Sequence, residues 1–268
     1  MGPCQIGGPH PLKIATFNIN NVNRRLTNLI DWLKAANPDI VCLQELKAEQ
    51  DNFPQQRLSE CGYNSVWVGE RTWNGVAILA RSRPVLTAER LSGDLTDTQS
   101  RYIEAAVAGI LVACVYAPNG NPQPGPKFDY KLSWLRRLNA RAAKLLKANV
   151  AAVIAGDFNV VPTPFDIYPS TSWDKDALVQ PKSRAAFKRL IDQGWTDSIR
   201  SVHPDKPMFT FWDYKRDRWP RDAGLRLDHL LLSPMAASSL KAAGVDREVR
   251  GRKGASDHAP AWIVIARA

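Results

Sequence analysis

The sequence predicts a single α/β domain, and three observations support this fold class. The chain has 268 residues, of which 44% are hydrophobic, so it can bury one sizeable core. Short apolar runs of strand length alternate with longer segments in which leucines recur at helical spacing. The sequence Ile-Ala-Thr-Phe-Asn near the start is echoed by Ile-Ala-Gly-Asp-Phe-Asn in the middle. This echo is consistent with two similar halves packed face to face.

The first residues differ from the rest of the chain. Residues 1–11 contain three Gly and three Pro and are predicted to be a disordered leader or a cloning remnant. Residues 12–268 then form the single domain.

Strands are predicted where short apolar runs stop at polar residues or turns. They are residues 13–18, 40–44, 63–68, 75–80, 102–108, 110–116, the run that begins at residue 153, 225–232 and 261–266. Helices are predicted from residue 26 until Pro38 ends the first one, at residues 127–150, and at residues 183–193. Residues 162–180 fit neither pattern, and a loop of this length in a compact domain is more often functional than idle.

The bulk charge favours a polyanionic partner. Lys and Arg number 36 against 26 Asp and Glu, which gives a net charge of +10 and a pI near 9.6; nucleic acid is one such partner. The four cysteines lie far apart and indicate neither a zinc site nor a disulfide framework. No stretch approaches the roughly 18 to 20 apolar residues of a membrane span, so we expect a soluble, cytoplasmic protein.

Two segments combine basic charge with a regular pattern. The helix at residues 127–150 carries seven Lys or Arg against one acid. Such a run usually forms a solvated face, but the imbalance favours a phosphate-facing first turn at Lys127 and Lys131. Four aromatic residues crowd into positions 209–214 and basic residues follow. They can stack on bases or line a pocket, while packing in a strand is at least as good an explanation for any single one.

Polar residues that end or interrupt six of the segments could form one site. They are Asn18, Glu45, Tyr116, Asp157 with Asn159, Asp228, and Asp257 with His258. Taken alone, each has an ordinary explanation as an exposed strand end, a turn residue or a core histidine. If they converge, their carboxylates suit a hard divalent cation such as Mg²⁺ rather than zinc. With a water to activate and donors for a pentacoordinate phosphate, this inventory predicts phosphodiester hydrolysis.

Seven short motifs occur in order along the chain. They are Phe17-Asn18-Ile19-Asn20, Leu43-Gln44-Glu45, Tyr116-x-Pro-Asn-Gly, Gly156-Asp157-Phe158-Asn159, Phe211-Trp212-Asp213-Tyr214, Leu225-Arg226-Leu227-Asp228 and Ser256-Asp257-His258-Ala259-Pro260. Together they resemble the exonuclease III family of abasic-site endonucleases, which belongs to the endonuclease/exonuclease/phosphatase superfamily. The match runs from about residue 13 to the C-terminus, and so many motifs in the family order are highly specific.

The resemblance implies both a fold and an activity. The fold is an α/β (α+β) four-layer sandwich, with two mostly antiparallel sheets packed face to face and helices outside. The activity is Mg²⁺- or Mn²⁺-dependent cleavage of duplex DNA 5′ to an abasic site, leaving a 3′-hydroxyl. It usually comes with 3′-phosphodiesterase, 3′-phosphatase or 3′-to-5′ exonuclease activity. The expected partner is therefore double-stranded DNA with abasic sites or blocked 3′ ends, and we expect a monomer.

Carried over position by position, the resemblance also implies roles for the polar residues. Glu45 resembles the main metal ligand, oriented by Asn18, and Asp257 also reaches the metal. Asp157 resembles the residue that orients and deprotonates the attacking water, assisted by Asn159. His258, polarised by a carboxylate, is expected to contact the scissile phosphate. Tyr116 and Asp228 resemble residues that position the phosphate and the side chains of the site. Phosphate contact is also expected for Asn119 and Lys127, and more loosely for the basic residues Arg101 and Arg184.

The resemblance further implies an apolar wall that accepts a flipped abasic sugar. Its residues are Phe211, Trp212, Leu225 and Leu227. A sugar without a base is small, so a tight apolar pocket admits it and rejects an intact nucleotide. The chain departs from the family at His229, where several relatives carry an apolar or aromatic residue. It also departs at residues 162–180, a region where family members tune endonuclease against exonuclease activity.

Two other functions remain open from the sequence. An enzyme of the same fold could act on RNA or on a phosphoinositide or sphingomyelin head group; the basic charge and the apolar wall favour DNA. A catalytically silent DNA-binding module is the other alternative. It is disfavoured because every carboxylate of the set and the histidine are present.

Overall fold

The computed structural model describes residues 11–267, so the expected leader lies outside the described residues except for Pro11. The strands within this range are β1 Leu12–Asn18, β2 Ile40–Gln44, β3 Asn64–Val68, β4 Val76–Ala80, β5 Val85–Ala88, β6 Tyr102–Val107, β7 Ile110–Tyr116, β8 Ala152–Asp157, β9 Thr196–Asp197, β10 Asp228–Leu232, β11 Leu240–Val245 and β12 Ala261–Ile265. The α-helices are α1 Leu26–Ala36, α2 Gln55–Glu60, α3 Pro126–Lys147, α4 Pro181–Asp192, α5 Ser198–Val202 and α6 Pro234–Ala237. None of these helices is both long enough and apolar enough to cross a membrane.

The strands form two six-stranded sheets of similar design. The order is β11-β12-β1-β2-β4-β3 in sheet 1 and β5-β6-β7-β8-β10-β9 in sheet 2. Each sheet has one parallel pair, β1 with β2 and β7 with β8, and its other pairs are antiparallel. Phe17-Asn18 ends β1, the first strand of its parallel pair, whereas Phe158-Asn159 follows β8, the second strand of its pair, so the similarity of the halves lies in the sheet design and not in this motif. The prediction of two similar halves is confirmed.

Packing of the sheets and helices creates four layers. The central apolar cluster combines inward-facing residues of both sheets, among them Ile14, Cys42, Val112 and Leu230. A second cluster joins α1 and α2 to the outer face of sheet 1, and a third joins α3 and α4 to the outer face of sheet 2. The four-layer α/β sandwich implied by the resemblance is therefore confirmed. The same layering explains the apolar strand runs, because the central strands are covered on both faces.

One predicted strand is shorter than its apolar pattern. Residues 225–232 were expected to be continuous, but β10 begins only at Asp228. Leu225 instead forms isolated bridges with Ile167 and Phe211. The reason is Arg226, which is 0% exposed and must be paired where it is buried. Its backbone N–H donates to the carbonyl of Asp166 over 2.8 Å, which holds this segment against the 162–180 loop.

The 162–180 loop is anchored by a buried ion-pair network. Nε of Arg226 lies 2.6 Å from Oδ1 of Asp166, and its NH2 lies 2.8 Å from Oδ2 of Asp197. NH2 of Arg200 donates to the same oxygen of Asp166 over 2.6 Å. Two short 3₁₀ turns, Pro164–Asp166 and Thr171–Trp173, are the regular structure in this loop. The loop is thus fixed at its base, although its sequence carries no helix or strand pattern.

His229 is a packing residue rather than an exposed one. Its side chain is 0% exposed and its ring lies against those of Phe158 and Phe187, with centroids 5.4 and 4.6 Å away. Burial, aided by the nearby charge of Arg226, lowers the pKa of His229 to about 4. The ring is therefore neutral, and its Nε2 lies 3.1 Å from the carbonyl oxygen of Val160.

Candidate active site

Strand register brings the predicted residues to one end of the sandwich. In sheet 2, Tyr116 is paired with Asp157, which is paired on its other side with Asp228. In sheet 1, Asn18 is paired with Gln44, the residue before Glu45. Because parallel neighbours end at the same edge of a sheet, each sheet contributes its strand ends to this region.

A single amide joins the two sheets. Nδ2 of Asn18 donates to Oε1 of Glu45 over 2.9 Å and to Oδ2 of Asp157 over 3.0 Å. Asn18 is 0% exposed, so both bonds form away from bulk water, where they are strong. Tyr116 adds a third contact, because its hydroxyl donates to Oε1 of Glu45 over 2.9 Å. Burial, followed by the charges of the two carboxylates, raises the pKa of Tyr116 well above its ordinary value, so the phenol stays a donor.

Asp157 is a buried carboxylate poised to accept a proton. It is 1% exposed, and burial raises its pKa to about 7, supported by the negative charges of Asp228 and Glu45 and opposed by His258. The backbone N–H of Asn159 donates to its Oδ1 over 2.8 Å. Asn159 has φ of 49°, a left-handed conformation that Asn tolerates better than most residues. This turn brings its amide back to the carboxylate.

His258 takes its carboxylate partner from another strand, not from its sequence neighbour. Its Nδ1 lies 2.7 Å from Oδ2 of Asp228, and its Nε2 lies 3.9 Å from Oδ2 of Asp157. Burial lowers the pKa of His258, but the charges of Asp228, Asp157 and Asp257 outweigh it and raise the pKa to about 10. The imidazole is therefore held as a cation beside the buried carboxylate of Asp157. Asp257 points elsewhere and accepts from Nδ2 of Asn20 over 2.9 Å.

Hard oxygen donors gather beside Glu45 and fit a divalent cation. Nζ of Lys47 lies 2.8 Å from Oε2 of Glu45 and donates to Oδ1 of Asn20 over 2.7 Å. Oxygens of Glu45 and Asn20 thus both contact the ammonium of Lys47. Asp257 is linked to the same group of oxygens through its hydrogen bond with Asn20. Burial acts to raise the pKa of Glu45, but Lys47 and the bond from Asn18 hold it below its ordinary value. Across residues 11–267 no three Asp, Glu, His or Cys side chains cluster as a metal cage. An ion here would need amide, water or phosphate oxygens, as Mg²⁺ prefers.

The backbone of Glu45 is unusual. Its φ is 53°, which is strained for a residue with a side chain and is common at functional sites. The carbonyl of Glu45 accepts from the N–H of Asn21 over 2.8 Å, and the next N–H, of Leu46, donates to the carbonyl of Gly75 over 3.1 Å. These bonds hold the strained turn and so fix the direction of the carboxylate.

A basic cleft extends from Tyr116. It has a volume of about 610 Å³ and is lined by Arg101, Asn119, Lys127 and the exposed Trp73, among others. The guanidinium of Arg101 stacks on the Tyr116 ring at 4.7 Å. Lys127 is exposed at the start of α3. These basic and amide groups are available to phosphate oxygens.

Two predicted basic residues have a structural partner instead. Lys131 was expected to face phosphate from the first turn of α3, but it is 0% exposed. The expectation was wrong because position 131 lies on the apolar face of the helix, in register with Phe128 and Leu135. Nε of Arg184 donates to the carbonyl of Val161 over 2.9 Å, so this side chain holds the residue just before the 162–180 loop.

The predicted wall for a flipped sugar is covered. Leu225 and Leu227 are 0% and 2% exposed. They form a small buried cluster with Val161 and Leu178, and Phe211 packs against its edge. Leu178 belongs to the 162–180 loop, which the sequence pattern left unassigned.

Trp212 does not belong to this wall. Successive side chains on extended backbone point to opposite sides, so Trp212 points away from Phe211. It packs edge-on against Trp219 and Phe209, with centroids 5.0 and 6.4 Å away. Phe211, in contrast, faces the site, with its ring 5.0 Å from that of His258.

Sequence reasoning missed three residues of this region: Lys47, Lys131 as a buried group, and Leu178. Only Lys131 had a usable signal, since it shares the three- to four-residue spacing of Phe128, Leu135 and Leu138. The others depend on contacts between separate segments.

The chain is similar in sequence to known proteins. The Endonuclease/Exonuclease/phosphatase family matches residues 15–258. The chain is 30% identical over 263 residues to exodeoxyribonuclease III of Haemophilus influenzae, covering 94% of this chain and 98% of that protein. It is 28% identical to the DNA repair nuclease APEX1 of Danio rerio, covering 95% and 82%.

Solved structures are also similar. The 3′ phosphatase NExo from Neisseria, bound to a product DNA hairpin, has a TM-score of 0.93 and 39% identity, with 96% of this chain and 100% of that chain covered. An AP endonuclease from Archaeoglobus fulgidus has a TM-score of 0.90 and 35% identity, with 95% and 99% covered.

Proposed function

This chain belongs to the endonuclease/exonuclease/phosphatase family, its relatives indicate a DNA-repair nuclease, and we propose that it hydrolyses phosphoester bonds at blocked 3′ ends and at abasic sites of duplex DNA. The observation that carries the proposal is the contact of Glu45, Asp157 and Asn18 across the two sheets. Through this contact the candidate metal ligand Glu45 and the candidate general base Asp157 accept hydrogen bonds from the same side-chain amide, that of Asn18. The relatives named as a 3′ phosphatase, an exodeoxyribonuclease III and an AP endonuclease support the choice of DNA as substrate.

The family is divalent-metal dependent, and we propose Mg²⁺ for this chain. Oε2 of Glu45, with the oxygens of Asn20 and Asp257, would hold the ion. When bound, the ion supplies positive charge that stabilises the oxygens of the phosphate in the transition state.

The protein groups supply the remaining chemistry. Asp157 accepts the proton of the attacking water, and Asn159 orients that water. His258, kept cationic by Asp228, donates to a phosphate oxygen as negative charge develops there. Asn119 and Lys127 bind neighbouring phosphate groups of the same strand.

We further propose that processing of 3′ ends is the faster activity. An abasic sugar must enter against Leu225 and Leu227, but Leu178 and Val161 cover them. A terminal 3′-phosphate needs only the polar side chains around Glu45 and His258. Access to these side chains does not depend on the apolar wall. We also propose that residues 12–268 act as one domain, because both sheets share one core. The expectation of a cytoplasmic monomer is kept as part of this proposal.

The proposed function can be tested on matched duplexes carrying a 3′-phosphate, a recessed 3′-hydroxyl or a central abasic site, with Mg²⁺ and with EDTA. We expect metal-dependent release of the 3′-phosphate and slower incision at the abasic site. No activity on any DNA, with hydrolysis of RNA or of phosphoinositide head groups, would overturn the proposal.

Opening the covered wall should change the balance of activities. We expect Leu178→Ala to raise abasic incision relative to 3′-phosphate release by about tenfold or more, within the roughly 10–200-fold that a methylene-sized change in a pocket can produce. The measurement is the ratio of the two initial rates. Leu190→Ala is the matched control, because Leu190 is equally buried but lies in α4 outside the cluster. An unchanged ratio in Leu178→Ala would show that the wall does not limit incision.

The metal role of Glu45 predicts a change in metal titration. We expect Glu45→Gln to raise the Mg²⁺ concentration for half-maximal activity on the order of 10–100-fold, the range seen when even the supports of metal ligands are removed. DNA affinity measured by fluorescence anisotropy should change little. Glu49→Gln, at an exposed glutamate nearby, should leave the titration unchanged. The same midpoint in Glu45→Gln and wild type would contradict the ligand role.

A further inference from the structure

Lys131 is a buried cation that the proposed reaction does not use. It lies in α3 and is 0% exposed. Burial lowers its pKa to about 7, opposed by the negative charges of Asp157 and Asp176. A buried ammonium is costly unless its donors are used, and an apolar residue would fill this face of the helix at lower cost. The contacts of the ammonium therefore indicate why a lysine is here.

The ammonium bridges two loops of the site. Nζ donates to the carbonyl of Asn119 over 3.0 Å and to the carbonyl of Asn159. Asn119 lies in the loop after β7, and Asn159 lies in the loop after β8. One group on α3 thus connects the backbones that follow the two parallel strands of sheet 2.

The residues whose carbonyls Lys131 contacts, Asn119 and Asn159, also carry the side-chain amides expected to act on DNA. Nδ2 of Asn119 donates to Oδ1 of Asn159 over 3.4 Å. Nδ2 of Asn159 donates to the carbonyl of Ala117 over 2.9 Å. The backbone N–H of Asn159 donates to Asp157. A shift of either loop would therefore change the distance between the phosphate-binding amide and the candidate base.

The surrounding backbone is shaped to admit the lysine. Gly120 has φ of 90°, and a Cβ built there would lie 2.6 Å from Cδ of Lys131 and 3.2 Å from Cβ of Ala177. Nδ2 of Asn121 donates to Asp176 over 2.8 Å. The lysine stem is thus enclosed by the loop after β7, and this loop is itself hydrogen-bonded to the 162–180 loop.

We propose that Lys131 is a positioning residue that holds the carbonyls of Asn119 and Asn159 and so sets the separation between the phosphate-binding amide and the water-orienting amide. This inference rests on the proposed function. The ammonium has no exposed path to phosphate, so it acts through the two loops rather than on the substrate.

The test compares two buried cations of the same helix. Lys131→Met removes the bridging donors but keeps the length of the side chain. Arg137→Met is the matched control, because Arg137 is also buried in α3 but pairs with Asp97 and the carbonyl of Leu91. For both variants we would measure kcat and KM on the 3′-phosphate duplex at saturating Mg²⁺, together with thermal unfolding.

We expect kcat of Lys131→Met to fall on the order of 10–100-fold, as for a displacement of about 1 Å in a site, while KM stays within about threefold. Arg137→Met should lose thermal stability with kcat unchanged. The side-chain amide NMR signals of Asn119 and Asn159 should move in Lys131→Met only. Equal kcat in the two variants, measured well below their unfolding temperatures, would overturn the positioning role.

Two further controls separate the possible failures. If Lys131→Met does not fold, Lys131→Gln is the second variant. Its amide is a donor of shorter reach, so we expect the same loss of kcat with KM retained. A wild-type kcat in Lys131→Gln would refute the inference. Inactive wild-type protein on every DNA substrate would refute the proposed function instead, whereas an active wild type and a Lys131→Met variant with the same kcat would refute only this inference.

Discussion

Replacing Asp157 by Asn should lower kcat for 3′-phosphate release by about 10²–10⁴-fold, the contribution of a positioned general base. Asn has the same shape but cannot accept the proton of the attacking water. An amide has a single acceptor oxygen, so Asn keeps one of the two bonds that Asp157 accepts, from Nδ2 of Asn18 and from the N–H of Asn159. The shared shape and the remaining bond hold the side chain in place, so the larger part of the expected defect is chemical.

Single-turnover rates and DNA anisotropy distinguish these effects. DNA affinity of Asp157→Asn should be near that of wild type, because Asp157 is 1% exposed and is not expected to touch neighbouring phosphates. The double variant Asp157→Asn, His258→Ala should be inactive within detection. Retained nicking by the double variant would overturn the roles given to both residues.

Replacing Arg226 by Met should reduce the free energy of unfolding by about 3–5 kcal/mol, the usual cost of removing one partner from a buried ion pair. The change leaves Asp166 and Asp197, which are 0% and 12% exposed, without their common cation. Urea unfolding at pH 7 measures the difference. Arg247→Met is the matched control: its pair with Asp222 is exposed, so the loss should be at most about 1 kcal/mol. Similar losses in the two variants would contradict the role of the buried network.

The same network predicts how stability depends on pH. Burial acts to raise the pKa of Asp166, but Arg226 outweighs it and lowers the pKa to about 2. The unfolded chain has an Asp pKa of about 3.9. Since the folded pKa is the lower one, the stabilisation is present above about pH 4 and is lost as pH falls towards 2. Wild type should therefore lose more stability than Arg226→Met over this interval. Parallel pH profiles would contradict the pairing.

Much of the fold could be predicted because its elements are local patterns. Strands β2 and β7 have the predicted bounds, since each is a continuous apolar run that stops at a polar residue. Helix α3 begins one residue before the predicted start and ends at Lys147, three residues before the predicted end. Strands β5, β9 and β11 were not predicted. They are short or partly exposed, so no apolar run marks them.

The sequence by itself determined the polar inventory and its position at strand ends, because side-chain chemistry and short-range periodicity are written along the chain. Only the tertiary structure decided the partners. His258 pairs with Asp228 rather than adjacent Asp257, because β10 brings Asp228 within hydrogen-bond distance of Nδ1 of the imidazole. Leu178 covers the predicted sugar wall and Lys131 lies beneath two loops, since packing joins segments that are far apart in sequence. Those contacts depend on register, burial and competition for the same space, which residue order alone does not specify.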